Sequence, residues 1–162
     1  MESLFTIFSG ILLSAACGFR VFVPLLVMSM ASKAGQVRLP PDFEWIGTNQ
    51  TLLLFLVATI IEIIACTVPY VDNLFKILAT PAAIMAGIII TAAFVTDISP
   101  QMSPQLRWTL GFIVGGLAAG STQTVSIWGR FMTGLMPIIP PVIEHIAAGI
   151  VSALPFLLPL LF

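Results

Sequence analysis

Polar residues fall into a few short clusters along this chain, and long apolar runs separate them. A helix that crosses a bilayer needs roughly 20 apolar residues, and about five runs approach that length. The first covers about residues 4–31 and contains Arg20 and Pro24. Pro24 lacks a donor N–H, so a kink is expected there. The small residues of Ser14-Ala15-Ala16-Cys17-Gly18 suit close helix contact. A polar loop from Ser32 to Gln50 follows, with Pro40-Pro41 as a helix stop. Its Phe43 and Trp45 are expected at lipid headgroups.

The second run, about 51–68, is interrupted by Glu62 and closed by Pro69. Residues 70–80 are too short and too polar to span, so they predict a short interfacial or re-entrant helix carrying Asp72 and Lys76. The third run, about 81–96, places Pro81 in a first helical turn and offers Ala83-xxx-Gly87 as a contact face. The fourth, about 106–128, carries Gly111-xxx-Gly115, Gly116-xxx-Gly120 and the polar stretch Ser121-Thr122-Gln123-Thr124. The Pro-containing segment 134–141 reads as partly non-helical. The fifth run, about 141–161, has Glu144 and His145 near its start.

The expected fold is therefore an all-α membrane protein. It is one transmembrane domain over residues 1–162, a bundle of about five spanning helices plus the short helix. An inverted repeat fits a weak likeness between Gly10–Ala16 and Gly116–Thr122, and between Ile64–Tyr70 and Ile150–Phe156. Met1-Glu2-Ser3 lacks the basic start of a cleavable signal peptide, so the first run is read as a retained span.

Composition narrows the class. Hydrophobic residues make up 59% of the 162 positions and charged residues 8%, with a mean hydropathy of +1.11. Soluble domains carry about 25% charged residues, so this chain cannot coat a soluble globule. A cytoplasmic enzyme, a nucleic-acid binder and a disordered tail are excluded on that ground. The net charge of −1 provides no basic face for nucleic acid. Cys17 and Cys66 both lie in apolar runs and read as buried free thiols. Loop basic residues give almost no orientation bias: Lys33, Arg38 and Arg107 fall on one face, Lys76 and Arg130 on the other. The slight excess puts the loop after the first span in the cytoplasm.

Charges inside a membrane are costly, about 3 kcal/mol even on the lenient insertion scale, and Arg20 and Glu62 are the sharpest such features. Arg20 lies 31 − 20 = 11 residues before Ala31, and Glu62 lies 62 − 51 = 11 after Thr51. At about 1.5 Å per residue, both sit about 16 Å from the loop that joins their spans, level with each other. Two readings follow: a gate or coupling site, or a permanent ion pair that fixes register. Gln123 and its Ser/Thr neighbours are candidates to line the same cavity, or to bond between helices. Asp72, Glu144 and His145 complete the candidate transport or gating residues; Glu144 and His145 also fit an interfacial pair with Arg130. No catalytic set, metal spacing or cofactor motif is visible. The expected partners are membrane lipids, further copies of the chain in a homo-oligomer, and an unidentified ion or small solute.

The segments Gly18-Phe-Arg-Val-Phe-Val-Pro-Leu-Leu26, Glu62-Ile-Ile-Ala-Cys-Thr-Val-Pro-Tyr-Val-Asp-Asn73 and Thr80-Pro-Ala-Ala-Ile-Met-Ala-Gly87 resemble a bacterial membrane-protein family known as domain of unknown function 4126. The likeness covers nearly the whole chain and marks Arg20, Glu62, Pro69, Asp72 and Pro81 as motif positions. It implies a multi-span inner-membrane protein and no particular activity. Two functions compete: a small transporter or channel, and a lipid-binding or scaffolding protein whose charges are structural.

Overall fold

Pro24 does more than kink the first apolar run. Its ring clashes with the carbonyl four residues earlier, at Arg20, and the helix stops altogether one turn upstream. The computed structural model describes the backbone of residues 2–18, 20–67, 69–132 and 141–161, and the side chains of 6–18, 20–65, 78–125 and 146–156. Within it the run forms two helices, α1 (Glu2–Cys17) and α2 (Phe22–Lys33). Pro24 then sits in the first turn of α2, where an N–H would have had no intrahelical partner.

α2 ends in a Schellman turn. Gly35 takes φ 75°, its N–H reaches Ser32 O at 3.0 Å, and the Gln36 N–H reaches Ala31 O at 3.0 Å. A 3₁₀ helix, Pro41–Gly47, leads into α3 (Asn49–Thr67). Phe43 is buried there against Trp108, with ring centroids 5.7 Å apart. It is a core residue and not a headgroup anchor, because the 3₁₀ turn folds back onto the bundle. Trp45 is exposed.

α4 runs unbroken from Pro69 to Ile98. The separate short helix expected over residues 71–80 does not exist; its polar residues form the first turns of α4. Pro69, not Pro81, opens the helix, and Pro81 lies inside it with its side chain exposed. α5 (Pro104–Leu110), a π-helical turn (Gly111–Gly115) and α6 (Gly116–Met132) follow, then α7 (Pro141–Leu161). The segment 133–140 lies outside the described residues. All described secondary structure is helical, with no strand among the described residues.

Among the described residues one stretch, Leu78–Ile98, is long and apolar enough to cross a membrane, with 21 residues and a mean hydropathy of 2.1. The 3₁₀ helix and Asn49–Ala65, which meet at 57°, give a second if counted together. Thr6–Cys17, Phe22–Lys33 and Ile146–Phe156 are shorter apolar helices.

α4 is the core of the bundle and packs on α1, the π turn and α6. Small residues let the backbones close. A Cβ on Gly115 would overlap the Gly87 carbonyl, and one on Gly87 would lie 2.6 Å from the Gly115 carbonyl. Gly111 meets the Ile88 carbonyl in the same way, at 2.8 Å. These contacts match the expected small-residue faces. Gly120 departs from them, since nothing lies within 4 Å of a Cβ built there. Ser14 ties α1 to α4, donating to Gly87 O at 3.0 Å and sharing a 2.7 Å hydrogen bond with Thr91.

The helix break of the first run has no counterpart where the sequence likeness would place one. Offset by 116 − 10 = 106, the break at 18–21 corresponds to 124–127, inside the continuous α6. Pro155, aligned with Pro69, lies within α7 instead of opening a helix.

Candidate functional site

A broken helix exposes backbone groups that need partners. The first N–H groups of α2 and the last carbonyls of α1 have none within their own helices, and the break is buried: Gly18, Arg20 and Val21 are all shielded. Val21, the N-cap of α2, makes no capping bond with its own side chain. Glu62 supplies the cap from α3. Its Oε1 accepts the Val21 N–H at 3.2 Å, and the Phe22 N–H also bonds to the carboxylate. The carboxylate thus sits at the positive end of the α2 dipole.

The Arg20 charge acts on the same carboxylate, so the two residues whose depths matched in the sequence lie within electrostatic range of each other at the break. Arg20 is 8% exposed and Glu62 2%. Arg20 also follows the C-terminus of α1 directly, the end that favours a cation. Cys17, the last residue of α1, is buried with a free thiol within reach of the Glu62 charge. Glu62 Oε2 has no hydrogen-bond partner among the described residues.

α6 closes the other side. Thr122 Oγ1 donates to Ala15 O at 2.7 Å, serving one of the α1 carbonyls. Gly18 permits this approach, because a Cβ there would collide with Thr122 Oγ1 and the Ala119 carbonyl and lie 2.8 Å from Gln123 N. Gln123 bonds between helices, its Nε2 donating to Thr80 Oγ1 of α4 at 3.3 Å. Its Ser/Thr neighbours divide. Thr122 faces the break, whereas Ser121 and Thr124 are exposed and bond back to Ala118 O and Gly120 O of their own helix. They do not line the same space as Gln123, because only two of four consecutive helical positions share a face.

Asp72, Glu144 and His145 lie outside the described side chains, as do Cys66, Lys76 and Arg130. Among the described residues, no three His, Cys, Asp or Glu side chains gather as metal ligands would.

Sequence reasoning missed the bonding roles of Ser14 and Thr91, and it named Thr122 only as one of the Ser/Thr neighbours of Gln123. Ser14 and Thr91 are single hydroxyls among apolar and small residues, and nothing in the pattern says which hydroxyl will face another helix. It also placed Arg38 and Arg107 at one end of the bundle without joining them. They line one cleft there, with Asp42, Thr96 and Asp97.

The chain matches the family described as Domain of unknown function (DUF4126) over residues 7–162, and it belongs to that family. No curated protein and no solved structure matches it.

Proposed function

We propose that this member of the DUF4126 family is an integral membrane protein that moves an ion or small solute, with Glu62 and Arg20 at the helix break as its coupling pair. The bundle crosses the bilayer five times, through α1 with α2, α3, α4, α5 with α6, and α7. Support for the membrane setting comes from the outward faces. Leu53 and Leu54 on α3, Phe112 beside α5, Leu117 and Val125 on α6, and Ile150 on α7 are all more than half exposed. So large an apolar perimeter suits lipid, not water.

One observation carries the transport reading: the carboxylate of Glu62, buried at the N-terminus of a half-helix, with one oxygen committed to backbone and the other unpartnered among the described residues. Broken helices whose ends face buried charges form the ion and substrate sites of secondary transporters. The carboxylate can exchange the Arg20 charge for a proton or cation while the Val21 N–H holds it in place.

Proteoliposomes containing the purified chain test this. Under an imposed proton or sodium gradient, the wild type carries flux and a folded Glu62→Gln variant does not. Equal flux in both overturns the coupling role. The capping bond itself favours the second reading, a lipid-binding or scaffolding protein with structural charges, and that reading requires no flux in either protein.

The chain resides in the bacterial inner membrane under this proposal, and as a homo-oligomer. The open notch at Gly120, beside the exposed Leu117, is a face that another copy can fill. Cross-linking in native membranes that yields only monomer counts against it.

A further inference from the structure

A cleft of about 390 Å³ opens at the end of the bundle where the 3₁₀ segment meets the C-terminus of α4 and the start of α5. Arg38, Asp42, Thr96, Asp97 and Arg107 line it, with Pro100 in the wall. Two guanidinium groups and two carboxylates in so small a space have no net charge, and they do not neutralise one another fully. Arg107 is 14% exposed, and its Nη1 reaches Asp42 Oδ2 only at 3.5 Å, the outer limit of a hydrogen bond. The same nitrogen donates to Thr96 Oγ1 at 3.2 Å. A guanidinium carries five donors, and the buried Nε of Arg107 has no hydrogen-bond partner among the described residues. Arg38 and Asp97 are exposed.

We infer that this cleft binds a zwitterionic aminophosphate group, the phosphate held by Arg107 and Arg38 and the ammonium by Asp97 and Asp42. A planar guanidinium suits phosphate oxygens, and the same cleft is lined by a second one, Arg38. A purely anionic ligand would bring its charge against two carboxylates with nothing to offset them. An ammonium a few ångströms from the phosphate satisfies them. Half-exposed Trp108 and Trp45 lie on the elements that frame the cleft, α5 and the 3₁₀ helix, and indole rings favour the headgroup layer. Phosphoethanolamine, as a phospholipid headgroup or as the free compound, has this chemistry. The lipid source rests on the membrane setting proposed above and not on transport, so a failed flux assay leaves the cleft assignment untouched.

Binding is measured on the full-length chain in detergent micelles with three probes: short-chain phosphatidylethanolamine, short-chain phosphatidylglycerol and free phosphoethanolamine. The expected result is a preference of about tenfold for the ethanolamine lipid over the glycerol lipid, the size of one charge-assisted contact. Arg38→Gln weakens the ethanolamine lipid by a similar factor. Asp97→Asn abolishes the preference by weakening the ethanolamine lipid alone. Both replaced side chains are exposed, so the fold survives. Free phosphoethanolamine binding as tightly as the lipid assigns the site to the soluble compound, and much weaker binding assigns it to the membrane. Equal affinity for the two lipids, indifference to both substitutions, or no binding of any probe overturns the inference.

Discussion

Glu62 Oε1 accepts a hydrogen bond from the Val21 backbone N–H at 3.2 Å, across 41 residues of sequence. The bond joins α3 to the start of α2 at the point where the first apolar run breaks. One side chain therefore serves two needs: it caps a buried helix end and it faces the neighbouring Arg20 charge. Its dual role makes its removal separable into two effects.

Glu62→Gln keeps an oxygen for the Val21 N–H and removes a carboxylate charge on which Arg20 acts. Losing one member of a buried pair costs about 3–5 kcal/mol, and thermal denaturation in detergent should show a loss of that order. Arg20→Met combined with Glu62→Leu removes both charges and should recover most of it. The remaining deficit, about 1 kcal/mol, is the lost helix cap. Wild-type stability in Glu62→Gln would disprove the pairing, and a double mutant no better than the single would disprove the charge argument.

Gly18→Ala should prevent folding, because the added methyl meets Thr122 Oγ1 and the Ala119 carbonyl. Removing the side-chain clash does not help. Gly18→Ala with Thr122→Ala should be as defective as Gly18→Ala, since the Ala119 carbonyl and Gln123 N are backbone and cannot rotate away. Size-exclusion profiles distinguish the cases, and a well-folded double mutant would contradict this packing.

Gly115→Ala and Gly120→Ala should differ although both glycines come from the same run of small-xxx-small pairs. At Gly115 the methyl meets the Gly87 carbonyl, and overpacking of this kind costs about 1–3 kcal/mol. At Gly120 it meets nothing within the chain, so in detergent that keeps the chain monomeric the better helix propensity of alanine is worth up to about 1 kcal/mol. Melting temperatures should therefore move in opposite directions.

Ser14→Ala removes both the Gly87 and Thr91 hydrogen bonds. Interhelical hydrogen bonds in membrane proteins average about 0.6 kcal/mol each and reach about 1.7, so the melting shift should be modest and the fold retained. Collapse of the bundle in this variant would show that the hydroxyl holds α1 and α4 together more strongly than such bonds do elsewhere.

The sequence alone determined the helical class, because continuous apolar runs without polar alternation leave helices as the way to satisfy backbone groups among apolar surroundings. It put Glu62 and Arg20 at one depth, since equal spacing from one connecting loop does so for two antiparallel positions, and the Arg20 charge acts on the Glu62 carboxylate. The Ala83–Gly87 and Gly111–Gly115 faces were legible for a related reason: small side chains at helical spacing are useful where backbones approach. Tertiary structure decided the rest. Asp72 and Lys76 read as part of a separate short interfacial or re-entrant helix, yet α4 continues through them, because a helix satisfies its own backbone bonds and its first turns need not be apolar. Pro24 announced a distortion, but whether it would bend the helix or stop it depended on a carboxylate from α3 and a hydroxyl from α6 arriving to serve the freed backbone groups. The cleft holding Arg38 and Arg107 was equally hidden. Its members are 107 − 38 = 69 residues apart, and only the packing of the 3₁₀ segment against α5 puts them in one space.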